Sequence, residues 1–169
     1  NRLVLGVGVG WMKEEFDLVQ IPFATRGRRC DEMLELITKL LRGGMVEHHG
    51  ELFDFARCEM VPVPEQPVPI LIAGHSDAAF RRAARWDGWV GAHYDVAELL
   101  GWAPRMQRAW REAGRSGEPQ IVAAVNDLTR ADQVRQRADV GVTGVIAMPL
   151  SWRGVSASTL AQKRAALEA

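Results

Sequence analysis

Three stretches of the chain carry residue types that could hold a ligand or act on one. Gly6-Val7-Gly8-Val9-Gly10-Trp11 closes an apolar run with glycines at alternate positions, where backbone amides can approach a bound group with no Cβ in the way. A phosphate-bearing cofactor is one use of such a stretch, and simple close packing is another. Gly74-His75-Ser76 follows a second apolar run and precedes a helical pattern. It offers an imidazole, a hydroxyl and helix N-terminal amides where α/β folds bind ligands. Helix capping alone would account for the same residues, and His75 by itself does not make a catalytic base. His48-His49, within Glu47-His48-His49-Gly50-Glu51, sets two imidazoles side by side. Adjacent histidines seldom point at one ion, and no third ligand stands at metal-site spacing, so no metal is expected.

Other chemistries find little support. The dinucleotide fingerprint needs Gly-x-Gly-x-x-Gly entering a helix directly; Trp11 breaks that spacing, and the acidic residues after it read as a loop. Gly-x-Ser-x-Gly is absent and no Ser/His/Asp or Cys/His set emerges, which leaves hydrolase chemistry without a foothold. Arg81, Arg82 and Arg85 read as a solvated helix face, with contact to an acidic cofactor tail as the alternative. Trp86, Trp89, Trp102, Trp110 and Trp152 read as core or rim packing, whereas Trp11 sits at a glycine-rich strand end.

The elements that must position these residues are legible as alternation. Apolar runs at Leu3 to Val9, Val68 to Ala73, Trp89 to Ala92, Ile121 to Val125 and Val145 to Met148 are mostly continuous, as in strands of a parallel sheet covered on both faces. Helical patterns separate them, which makes the fold class α/β. The clearest follows Arg28, with Met33, Leu36, Ile37, Leu40 and Leu41 as an apolar stripe, Arg28/Glu32 and Glu35/Lys39 on a solvated face, and Gly43-Gly44 as its stop. Further helices are expected over Ala78 to Arg85, capped by Ser76 or Asp77, over Val96 to Ala113, bent or restarted at Pro104, and over Arg130 to Asp139 and Ser156 to Leu167. Between them, residues 46–66 break into short aromatic and proline-punctuated pieces, read as an excursion carrying a small hairpin over the end of the sheet.

Composition bounds the partners. The 169 residues are 47% apolar and 25% charged, with 21 Lys and Arg against 21 Asp and Glu. A chain so balanced lacks the clustered cationic surface that nucleic acid or anionic lipid would need. Leu3 to Met12 resembles a signal core but is glycine-rich, lacks a basic leader and runs into Lys13-Glu14-Glu15. A cytosolic (cytoplasmic) protein with no membrane span is therefore expected, with Cys30 and Cys58 as reduced thiols. One domain, residues 1–169, is expected from the length.

Five β/α units are too few for a closed (β/α)8 barrel, which takes eight strands and about 250 residues. The chain is then either an open doubly wound sheet or the later part of a barrel. Arg2 to Trp11 with Glu15-Phe16, Pro22-Phe23, Arg26-Gly27-Arg28-Arg29 and Asp31-Glu32 resembles the luciferase-like monooxygenase family. Glu47 to Glu51, Phe53-Asp54-Phe55, Pro67 to Ser76 and Asp87-Gly88-Trp89 continue the resemblance in order, and it is thin after Ala113. The likeness is greatest to the branch of coenzyme F-420-dependent oxidoreductases.

That resemblance implies a TIM barrel of which strands four to eight are present, with residues 46–66 as the excursion before the fifth strand. It implies a homodimer acting on a small organic substrate, with hydride transfer through coenzyme F-420, a deazaflavin, or FMN as second choice. It puts Gly8, Val9, Gly10 and Trp11 beside the cofactor and Gly74, His75 and Ser76 near its phosphate-bearing tail. No catalytic residue is carried over, because the side chains expected to act lie on strands that are absent. A fragment, a truncated gene product or a chain completed by a partner is expected on that ground. The competing readings are a noncatalytic half-barrel that pairs with another chain and, last, an open-sheet domain binding NAD.

Overall fold

Strands and helices alternate along the chain in a computed structural model that describes residues 2–125, 131–146 and 159–168. Its backbone divides into two units, Asn1–Ala73 and Gly74–Ala169. The first contains β1 (Leu5–Val7), α1 (Lys13–Leu18), a 3-10 turn (Phe23–Thr25), α2 (Arg26–Leu41), β2 (Val46–His49), β3 (Asp54–Cys58) and β4 (Ile70–Ala73). β1 and β4 run parallel, with Leu5 opposite Ile70 and Val7 opposite Ile72. Ile70, Leu71 and Ile72 are all buried, as expected of a strand covered on both faces. β2 and β3 form an antiparallel hairpin in the segment expected to hold short β pieces.

Two expectations for this unit need correction. The residues after Trp11 form a helix rather than a loop: Glu14 and Glu15 occupy the first turn of α1, where carboxylates suit the helix dipole. Lys13 Nζ also reaches Asp17 Oδ2 at 2.6 Å, one turn on. The buried stripe of α2 is Cys30, Leu34 and Leu36, while Met33 is exposed. Of the expected stripe Leu36 is buried and Ile37, Leu40 and Leu41 are half-buried, with Leu34 standing in place of Met33 and Cys30 one turn further toward the N-terminal end.

The second unit contains α3 (Asp77–Ala83), β5 (Gly88–Tyr94), α4 (Val96–Glu112), β6 (Gln120–Val125), α5 (Ala131–Asp139), β7 (Gly144–Ile146) and α6 (Leu160–Glu168). β5, β6 and β7 are parallel neighbours. Thr143 joins the last two: its Oγ1 accepts from the Ile121 amide at 2.9 Å, and its own amide donates to the Ile121 carbonyl at 2.8 Å. The core comprises Ile121, Ala123 and Val125 of β6, Trp89 of β5, and Leu99, Ala103, Met106 and Trp110 on one face of α4. α4 runs unbroken through Pro104, so the helix does not restart there. Pro104 lies on the exposed face, where the carbonyl it leaves unpaired meets water, and the buried stripe and an Asp95/Glu98 capping box hold the helix around it.

The chain is α/β with parallel strand pairing. Expectations at Arg130, Trp152, Met148 and Ser156 lie outside the described residues. Neither Cys30 nor Cys58 forms a disulfide; the first is buried and the second exposed. Among the described residues, no helix is long and apolar enough to cross a membrane.

Candidate functional site

Gly8, Val9, Gly10 and Trp11 leave the carboxyl end of β1 and lead into α1. Gly10 has φ +83° and sits against the Phe16 ring, where a Cβ would come within 2.6 Å of Cε2. Its need for glycine is therefore local: a left-handed turn packed on an aromatic edge. Gly8 meets no such crowding, since a Cβ there would rest 3.6 Å from the Ala73 Cβ. Trp11 is 80% exposed and so presents nearly all of its indole at this strand end. These four residues belong to the first unit.

Gly74, His75 and Ser76 open the second unit, directly after β4. Gly74 has φ +119°, and a Cβ there would press on the Ala79 Cβ at 3.0 Å. Ser76 is the N-cap of α3, its Oγ accepting from the Ala79 amide at 3.2 Å. The hydroxyl proton is left free to donate elsewhere. The Gly74 carbonyl accepts from Trp89 Nε1 at 2.8 Å, so a buried indole fixes the turn from below. His75 is exposed and stacks obliquely on Trp102, ring centres 4.6 Å apart.

Asp77 would oppose an anion at this turn, but Arg105 offsets it. The Arg105 Nη2 donates to Asp77 Oδ1 at 2.7 Å. That bond and the guanidinium charge, aided by Arg81 and Arg108, hold the Asp77 carboxyl below its ordinary value. A glycine with a positive φ, a capping hydroxyl and the start of α3 at the exposed residues Asp77 and Ala78 suit a phosphate group.

His48 and His49 face different carboxylates, so they do not form a metal pair. His48 Nε2 meets Glu32 Oε1 at 2.8 Å, and His49 Nδ1 meets Asp54 Oδ1 at 2.6 Å. No cluster of three or more His, Cys, Asp or Glu suited to a metal occurs among the described residues. Glu32, expected on a solvated face with Arg28, instead points at the hairpin. It also accepts from the Phe53 amide at 3.0 Å and the Leu52 amide at 3.1 Å. The His48 bond is the largest cause holding its carboxyl below the ordinary value; partial burial works against it, and the two amides add to the lowering. Arg28 pairs with Glu51 of the same loop. A Cβ at Gly50 would collide with Glu32 Oε1 and His48 Nε2, so glycine leaves the bond between them undisturbed. The only local signal for this clamp was a glycine beside two histidines, since its carboxylate lies 16 residues upstream.

The comparisons with known proteins agree with this architecture. An uncharacterized protein of Mycobacterium tuberculosis (strain ATCC 25618 / H37Rv), Rv0940c, is 43% identical over 146 residues, which is 86% of this chain and 51% of that protein. Among solved structures, monooxygenase RslO1 from Streptomyces bottropensis superposes with a TM-score of 0.60 at 23% identity, over 83% of this chain and 45% of that one. An F420-dependent secondary alcohol dehydrogenase, in complex with an F420-acetone adduct, gives 0.67 at 13% identity, over 87% of this chain and 64% of that one. The chain thus spans about half the length of the curated relative it matches. The model of the family described as luciferase-like monooxygenase matches residues 1–165, and the chain belongs to that family.

Proposed function

We propose that this chain is the strand-four-to-eight portion of a luciferase-like (β/α)8 barrel that catalyses hydride transfer between coenzyme F-420 and a small organic substrate. The observation that carries the reading is the Gly74-His75-Ser76 turn, a glycine-opened, serine-capped helix start at the carboxyl end of a parallel strand. Family membership over residues 1–165 supports it. In this reading Gly74, His75 and Ser76 hold the phosphate-bearing tail, while Gly8, Val9, Gly10 and Trp11 flank the ring system. When bound, the deazaflavin supplies the hydride chemistry, and the protein supplies orientation and electrostatics. Trp89 fixes the turn through the Gly74 carbonyl, and Arg105 pairs with the Asp77 carboxylate beside it. FMN is the second choice of cofactor. A homodimer in the cytoplasm, without nucleic-acid or membrane partners, completes the proposal.

The test is a titration of the purified protein with oxidised coenzyme F-420 and, separately, with FMN, followed by absorbance and fluorescence alongside light-scattering mass. Saturable F-420 binding that weakens in Ser76→Ala is the expected result. Preferential FMN binding would reassign the cofactor, and binding of neither by the assembled protein would overturn the reading. One observation favours a second reading, a noncatalytic half-barrel that pairs with another chain: Leu3, Trp11, Leu18 and Val19 of the first unit are each more than half exposed.

A further inference from the structure

Arg105 is oriented from three sides. Asp77 takes one of its N–H groups, and its guanidinium carbon lies 5.0 Å from the ring centres of both Phe80 and Trp102. Such a guanidinium is pre-organised, with further donors left over once the Asp77 bond is made. Arg81 on α3 and Arg108 on α4 stand with it around a groove of about 230 Å³, whose other polar members are Asp77 and Glu112. Among the described residues, no carboxylate lies within ion-pair distance of Arg81 or Arg108, both of which are exposed. The groove therefore holds three guanidinium groups against two carboxylates, and only Arg105 makes an ion pair there, Arg81 and Arg108 acting on Asp77 from farther away.

We propose that this groove between α3 and α4 binds the phosphoryl group of a small soluble ligand. A planar carboxylate would be satisfied by one guanidinium edge, whereas donors arriving from three arginines on two helices match the tetrahedral oxygens of a phosphoryl group. The volume is below that of ordinary whole-ligand clefts, which suits a head group rather than an entire drug-sized molecule. The Phe80 and Trp102 rings keep the Arg105 plane fixed whether or not the ligand is present. This groove adjoins the cofactor turn and shares the Asp77–Arg105 pair with it, while Arg81 and Arg108 lie outside that turn, so the proposal does not rest on the function proposed above.

Isothermal titration calorimetry of the full chain with sodium pyrophosphate, at two sodium chloride concentrations, tests it. Wild type binds, and Arg81→Gln/Arg108→Gln binds about tenfold more weakly or worse and with a shallower salt dependence. Arg111→Gln, on α4 but outside the groove, stays within about twofold of wild type. Thermal unfolding of the double variant is expected to match wild type, because both side chains are exposed. Absence of binding by wild type overturns the proposal. So does unchanged binding by the double variant, and a loss confined to Ser76→Ala would assign the anion to the cofactor turn instead.

Discussion

Glu32 shows how a single side chain can be misjudged by its position on a helix. Its i, i+4 neighbour suggested a surface pair, yet its carboxylate accepts from His48, Leu52 and Phe53 and ties α2 to the hairpin loop. A carboxyl depressed by folding contributes stability above its unfolded value and loses it as pH falls through the lower folded value. The melting temperature should therefore hold from neutrality to about pH 5 and decline below it. Glu32→Gln should remove part of that acid decline and speed hydrogen exchange at the Leu52 and Phe53 amides. An unchanged acid limb in the variant would mean the clamp is not the titrating element. Gly50→Ala is expected to cost about 1–3 kcal/mol in urea unfolding, because its Cβ forces the His48–Glu32 bond apart. None of this was legible locally: the histidine pair drew attention as a metal candidate, while the true partner lay on another element.

The elements were read more surely than the residues they carry. Continuous apolar runs at Val68 to Ala73 and Ile121 to Val125 became the buried strands β4 and β6, since a strand covered on both faces has no polar side to show. Gly43 and Gly44, both with positive φ, stand just past the end of α2, where a left-handed residue costs glycine nothing. Pro104 misled because the rule against interior proline assumes that nothing else holds the helix. In α4 the buried face and the capping box outweigh the lost bond. Pro104→Ala should therefore stabilise the chain, by about 1–3 kcal/mol in chemical denaturation, with helix content by circular dichroism unchanged or slightly raised. Trp89→Phe is expected to cost about 1–2 kcal/mol, since it keeps the ring but leaves the Gly74 carbonyl without its 2.8 Å donor.

For the whole molecule, the chain spans about half the length of its mycobacterial relative and leaves large apolar side chains such as Leu18 and Trp11 more than three-quarters exposed in its first unit. Under the proposed function, joining the chain to the part of that relative it does not match should tighten F-420 binding about tenfold or better, because a cofactor pocket needs walls on every side. Equal affinity for the two forms, measured by fluorescence titration, would show that the chain completes its own site. The α/β class and the parallel pairing were determined by the sequence alone, because hydrophobic periodicity is carried by neighbouring residues, and the family was legible as a resemblance in the order of its motifs. The Glu32 clamp, the Trp89 support under Gly74 and the Arg81, Arg105 and Arg108 groove were decided only by tertiary structure. Each joins side chains far apart in the chain, and no local pattern reports which distant group a carboxylate, an indole or a guanidinium will meet.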